Sequence, residues 1–178
     1  MALRKASAYS RKKVRPYTRV SGSKSKAYIK AKPVSKIVKF NGGNVRAFNE
    51  GKFKMSICLV GEEKIQVRDN ALESGRMFIT KELDEKIPGV YYLEVKVYPH
   101  HILRENKTAA GAGADRLSSG MKHSFGVTIG RAAIVSPGKP IFMVACGSDK
   151  ALRAARESLT KIKSKVPGKT RLVTEILQ

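Results

Sequence analysis

The chain has 178 residues, 42% of them hydrophobic, enough for one domain with a sizeable core. It carries 36 Lys and Arg against 14 Asp and Glu, a formal net charge of +22, and self-repulsion on that scale calls for a polyanionic partner, nucleic acid before all others. No apolar run of about 18 residues argues for a membrane span, and two cysteines without a CxxC pair argue against a zinc site, so the expectation is a soluble, cytoplasmic protein with both thiols reduced and no metal or cofactor.

The charge is front-loaded. Fourteen cations, from Arg4 to Arg46, precede the first acidic residue, Glu50, which leaves 22 cations to face all 14 acids in the remainder. Through Lys32 there is little apolar periodicity, and Arg4, Lys5, Arg11, Lys12, Lys13, Arg15, Arg19, Lys24 and Lys26 are interleaved with Tyr9, Tyr17 and Tyr28. Cations spaced by tyrosines suit phosphate contact with stacking on bases or sugars between contacts. A purely solubilising tail is the plainer alternative, and regular tyrosines fit it less well. Residues 1–32 are therefore read as an extended basic arm, unstructured until bound, and residues 33–178 as one globular domain.

Within that domain, Lys36–Phe40 (KIVKF) is expected as a strand ended by the turn signal Asn41-Gly42-Gly43-Asn44. Phe53–Val60 predicts a second strand. Asp69 or Asn70 is expected to cap a helix with the stripe Ala71, Leu72, Gly75, Phe78, Ile79 and Leu83, stopped by Pro88-Gly89. Val90–Tyr98 alternates as a strand with Tyr91, Leu93, Val95 and Val97 toward the core. Ile129–Val135 and Ile141–Cys146 predict two strands joined in hairpin fashion by Ser136-Pro137-Gly138-Lys139-Pro140. Ser148 or Asp149 then caps a second helix with Leu152, Ala155, Leu159, Ile162 and Val166 inward and Lys150, Arg153, Lys161 and Lys165 outward. Arg171–Leu177 closes the chain as a strand. Irregular alternation of strands and helices makes the class α+β.

The stretch from Pro99 to Gly126 breaks this pattern. Its middle, about 106–118, holds nothing large enough to pack, and long structureless loops inside compact domains are usually functional or disordered. Its flanks carry Arg104, Lys107, Arg116, Lys122 and His123, which fits close approach to an anionic surface. Fragments that imitate catalytic motifs fail on their companions. Gly111-Ala112-Gly113 lacks the third glycine of a dinucleotide fingerprint, and Ser119-Gly120-Met121-Lys122 lacks the other acyl-enzyme motifs. His100 and His101 are adjacent, so in a strand they face opposite sides and cannot readily share one ion.

Several of these segments carry a family likeness. Gly113-Ala114-Asp115-Arg116-Leu117 with Ser119-Gly120-Met121 and Phe125-Gly126 resembles the GADRL-x-x-GM-x-x-x-FG signature of the universal large-subunit ribosomal protein family. Its archaeal members are called L-ten-e and its bacterial members L-sixteen. Pro99–Arg104 resembles the strand end that precedes the signature, and Pro16–Arg19 and Lys36–Phe40 with Gly43-Asn44 resemble the arm and first strand. Pro137-Gly138-Lys139 and Val166-Pro167-Gly168-Lys169-Thr170 are similar to stretches shared with bacterial members. The longer loop marks the chain as archaeal or eukaryotic in type.

The resemblance implies an α/β-hammerhead-like mixed sheet with two packed helices and a basic extended arm. It also implies a non-catalytic place on large-subunit rRNA beside the aminoacyl-tRNA path, with late entry into the particle. The arm residues named above, with Arg104, Arg116, Lys122 and His123, would meet rRNA. Asn106, Lys107, Thr108, Ala109, Ala110, Gly111, Ala112 and Gly113 would reach toward the peptidyl-transferase centre and tRNA near the aminoacyl and peptidyl sites. Other large-subunit proteins and late assembly factors would be further partners. The rival reading is an RNA-modifying or RNA-cleaving enzyme using His100, His101 and His123.

Overall fold

A computed structural model describes residues 17–18, 23, 25–26, 29–106 and 126–177. The elements in chain order are β1 (Asn41–Gly43), α1 (Val45–Asn49), β2 (Met55–Gly61), β3 (Ile65–Arg68), α2 (Asp69–Lys86), β4 (Tyr91–Val95), β5 (His101–Glu105), β6 (Val127–Val135), β7 (Pro140–Cys146), α3 (Asp149–Ile162) and β8 (Thr170–Ile176). They form a five-stranded sheet in the order β1-β4-β7-β2-β8 and a three-stranded sheet in the order β3-β6-β5. The α+β class holds. Every ladder among the described residues is antiparallel, so two antiparallel sheets stand where the resemblance implied a mixed one.

Burial on both faces explains why β2 and β7 read as continuous apolar runs. Ile57 and Leu59 enter the main core under α2 and α3, while Cys58 and Val60 enter a second cluster with Ala47, Phe53, Tyr92, Met143 and Ala145. The short helix α1 covers that second face. Asn44 accepts from the Ala47 N–H at 3.0 Å as its N-cap, and Phe48 stacks on Tyr92 at 4.1 Å between ring centroids. The alternation expected for β4 is present, with Tyr91, Leu93, Val95 and Val97 all buried in the main core.

Three expectations are corrected. Lys36–Phe40 is not a strand and joins no ladder over that span. Its Lys36 and Val38 N–H groups donate instead to the carboxylates of Asp69 and Glu73 on α2, and the strand begins at Asn41, inside the expected turn. The Pro137-Gly138 turn does not make a hairpin, because β6 belongs to the small sheet and β7 to the large one. Finally, β3 forms where no strand was expected, β5 forms as a strand of its own where only the end of a strand was implied by the resemblance, and both pair with β6.

The two long helices keep their expected stripes, but the cap expected for α2 does not form: its N-cap is Arg68, without a side-chain cap bond, and Asp69 is the first helical residue. Leu72, Gly75, Ile79 and Leu83 of α2 and Ala151, Ala155, Leu159 and Ile162 of α3 are buried, and Ser148 caps α3 by accepting from the Ala151 N–H at 3.3 Å. Between the helices run Lys86 to Glu157 at 2.7 Å, Lys161 to Glu82, and Lys165 to Ser74 at 2.8 Å.

Candidate nucleic-acid interface

The small sheet gathers the N-terminal segment and the base of the long connection. Glu105, the last residue of β5, pairs with Val127, the first of β6, so residues 106–126 link two strand ends that lie side by side. As the outer strand of its sheet, β5 leaves backbone groups open to another segment. Tyr17 uses them. Its N–H donates to His101 Nδ1 at 2.8 Å, and its carbonyl accepts from the Ile102 N–H at 3.0 Å. The Arg104 guanidinium then lies 3.5 Å from the Tyr17 ring centroid, a cation–π contact. Further along, Thr128 Oγ1 donates to the Ala31 carbonyl at 3.0 Å, Arg131 Nε donates to the Pro33 carbonyl at 2.7 Å, and Ile29 is buried. Tyr17, Ala31 and Pro33 are thus tied to the two strands that flank residues 106–126.

An aromatic tier adjoins this platform. Phe40 stacks on Tyr98 at 5.4 Å, and the His100 ring tilts against Tyr98 at 4.5 Å. Arg131 Nη1 donates to the Tyr98 hydroxyl at 3.4 Å. Tyr98 is 43% exposed and His100 is exposed, so rings with open edges stand beside a guanidinium, an arrangement suited to stacking unpaired bases. As the strand alternation required, the two histidines part. His100 faces solvent, whereas His101 is 4% exposed and accepts from Tyr17.

Of the candidate site residues, Tyr17, Lys26, Arg104 and Asn106 are described. Tyr17 and Arg104 meet, and Lys26 is exposed in a turn. Arg4, Lys5, Tyr9, Arg11, Lys12, Lys13, Arg15, Arg19, Lys24, Lys107, Thr108, Ala109, Ala110, Gly111, Ala112, Gly113, Arg116, Lys122 and His123 lie outside the described residues. Arg131 was not singled out from the sequence, although a cation inside the apolar run IGRAAIV was a usable signal. The outward face of α3 is less available than its composition suggests, since Lys161 on it and Lys165 just past its end are engaged by α2.

Neither thiol is poised for chemistry. Burial, with Glu175 adding to it, pushes Cys58 up to about 11, and burial pushes Cys146 up to about 12, so thiolate is scarce at neutral pH. Among the described residues no cluster of His, Cys, Asp or Glu could hold a metal ion, and no helix is long and apolar enough to cross a membrane.

A two-sheet α+β scaffold with a strong cation excess, and with Tyr17, Ala31 and Pro33 bonded to the strands that flank residues 106–126, belongs to the class of basic scaffold proteins that work against a polyanion. Residues 13–173 match the family described as ribosomal protein L16p/L10e. The chain belongs to that family. It is 42% identical over 176 residues to the large ribosomal subunit protein uL16 of Pyrobaculum calidifontis, covering 98% of this chain and 95% of that protein. The uL16 of Archaeoglobus fulgidus is 38% identical over 97% of this chain and 93% of its own length, and that of Thermofilum pendens 40% identical over the full length of both. The family is a structural one rather than a family of enzymes.

Proposed function

We propose that this chain is a structural component of the large ribosomal subunit in the cytoplasm, binding large-subunit rRNA beside the aminoacyl-tRNA path. In this reading residues 106–118 approach the peptidyl-transferase centre and the tRNA ends, and the protein enters the particle late, in contact with other large-subunit proteins and assembly factors. The observation that supports it is the Tyr17–His101–Arg104 junction. An arm held on rRNA would, through that junction, fix the direction in which the chain leaves β5. The net charge of +22 supplies the attraction.

A photocrosslinker placed on an introduced thiol at Lys26, in assembled ribosomes, tests this reading. Crosslinks to large-subunit rRNA are expected. Crosslinks confined to small-subunit RNA, or no RNA crosslink at all, would overturn it. The two native thiols are buried and do not compete for the label.

A further inference from the structure

The sequence holds the tripeptide Pro-Gly-Lys twice, at 137–139 and 167–169, and the fold brings the two copies to the same end of the molecule. There β2 runs out at Gly61 between its neighbours β7 and β8. The Gly61 N–H donates to the Lys139 carbonyl at 3.2 Å and the Gly138 N–H to the Gly61 carbonyl at 2.8 Å. One residue on, the Glu62 N–H donates to the Lys169 carbonyl at 3.0 Å. Lys139 and Lys169 are thereby pinned by their backbones to consecutive residues, one on each flank of β2. Two inter-strand spacings of about 4.8 Å put their backbones roughly 10 Å apart.

Both turns are rigid for the same reason. Gly138 (φ +81°) and Gly168 (φ +77°) occupy the left-handed region, next to a proline that fixes the preceding φ. The Lys139 N–H closes the first turn onto the Ser136 carbonyl at 3.1 Å. A Cβ on Gly168 would lie 2.5 Å from Ile65 Cγ2, so the second turn is pressed onto β3. The lysine backbones are therefore ordered in advance while the side chains stay exposed, which lowers the entropy lost when a ligand is held.

Lys64 and Arg171 stand in the adjoining loop and strand. Among the described residues none of Lys64, Lys139, Lys169 and Arg171 is in an ion pair, although Glu62 and Glu63 share the 61–64 loop. Six other acids are used otherwise: Glu50, Glu73, Glu82, Glu85, Glu94 and Glu157 are each paired with a Lys or Arg. Unpaired lysines on two stiffened turns are suited to an external anion.

We propose that the paired Pro-Gly-Lys turns form one docking point for the phosphate backbone of RNA, distinct from the arm and from the strand ends that flank residues 106–126. This rests on the reading above that the partner is RNA. Lys139 and Lys169 supply the contacts and Gly61-Glu62 sets their separation.

Binding of the full chain to protein-free large-subunit rRNA, measured against salt, tests the proposal. Neutralising two phosphate contacts in K139A/K169A should lessen the slope of log affinity against log salt by about 2, with melting unchanged. An unchanged slope would overturn it. Should the double variant fail to fold, K139C carrying a photocrosslinker in assembled subunits decides the matter. RNA crosslinks from position 139 support the docking point, whereas crosslinks to an acidic protein segment, or none, overturn it. Crosslinking from K26C but not from K139C removes this inference alone, and RNA crosslinking from neither removes the RNA reading as well.

Discussion

Tyr17 and His101, 84 residues apart in sequence, are joined by a 2.8 Å hydrogen bond from the Tyr17 N–H to His101 Nδ1. A ring nitrogen that accepts is unprotonated, so this bond holds the imidazole in the neutral tautomer with its hydrogen on Nε2. The adjacent bond from Ile102 to the Tyr17 carbonyl makes the contact two-sided, much as a short strand would add to the edge of β5. His101→Phe keeps the ring volume and removes the acceptor. Leaving a part-buried N–H without that acceptor should cost about 1–2 kcal/mol. For a chain of this size that lowers Tm by roughly 2–4 °C per kcal/mol. Protease cleavage before residue 17 should accelerate while the rest of the chain stays protected. Unaltered melting and cleavage would show that the junction does not hold the segment.

Glu73 couples the 36–40 segment to α2. Its carboxylate accepts from Arg76 Nε at 2.9 Å and from Arg76 Nη2 at 2.5 Å, and takes the Val38 N–H at 3.4 Å. The Arg76 hydrogen bonds hold its carboxyl below the usual glutamate range against the opposing effect of burial. A carboxyl depressed in the folded state contributes stability above its unfolded value, and that contribution is lost as pH falls through the folded value. Glu73→Gln should therefore lower Tm at pH 7 and bring wild type and variant together in acid. A gap between the two curves that stays constant down to strongly acidic pH would refute the linkage.

Gly75 sits in the middle of α2, where propensity alone favours alanine by about 1 kcal/mol. Packing reverses the sign. A Cβ there would lie 2.8 Å from Phe142 Cζ and 3.6 Å from Ile162 Cγ2, and both side chains are fully buried. Overpacking at such a site costs about 1–3 kcal/mol, so Gly75→Ala should be a net loss. Gly130→Ala meets no atom within 4 Å and is the control. Calorimetry should show a lower Tm for the first and not for the second. A stabilised Gly75→Ala would mean that the helix–sheet interface is looser than its geometry indicates.

What could be read from the sequence was what is local. The stripes of α2 and α3, the Ser148 cap and the core side of β4 are set by residues within a few positions of one another, and they stand as expected. β3 was not legible because four residues are too few for a period to show before α2 begins. β5 showed only through the family resemblance of Pro99–Arg104, because Pro99-His100-His101 carries no strand pattern of its own and the ladder to β6 pairs it with residues from Val127 onward. The apparent hairpin failed because a Pro-Gly turn specifies a reversal and not which sheet each arm joins. The same limit applies to the site. Cations can be counted in sequence, but that Lys161 and Lys165 are engaged by α2 while Lys139 and Lys169 are not depends on long-range packing.

The connection between β5 and β6 offers the sharpest separation of folding from function. Its base is closed by the Glu105–Val127 pairing, and β6 is held independently by β3. Deleting Lys107 to Gly113 and rejoining the flanks removes no large apolar side chain and a single cation. Shortening a loop by a few residues changes its closure entropy by well under about 1 kcal/mol. The deleted protein should therefore melt within a few degrees of wild type and still bind large-subunit rRNA, because the arm, the small sheet and the Pro-Gly-Lys turns are untouched. If residues 106–118 approach the tRNA ends, subunits carrying the deletion should assemble the protein yet stall in late maturation or in tRNA accommodation. Sedimentation profiles and the rate of dipeptide formation report on those two steps. Melting far below wild type would make the segment part of the core, and normal dipeptide formation would leave it as ordinary surface.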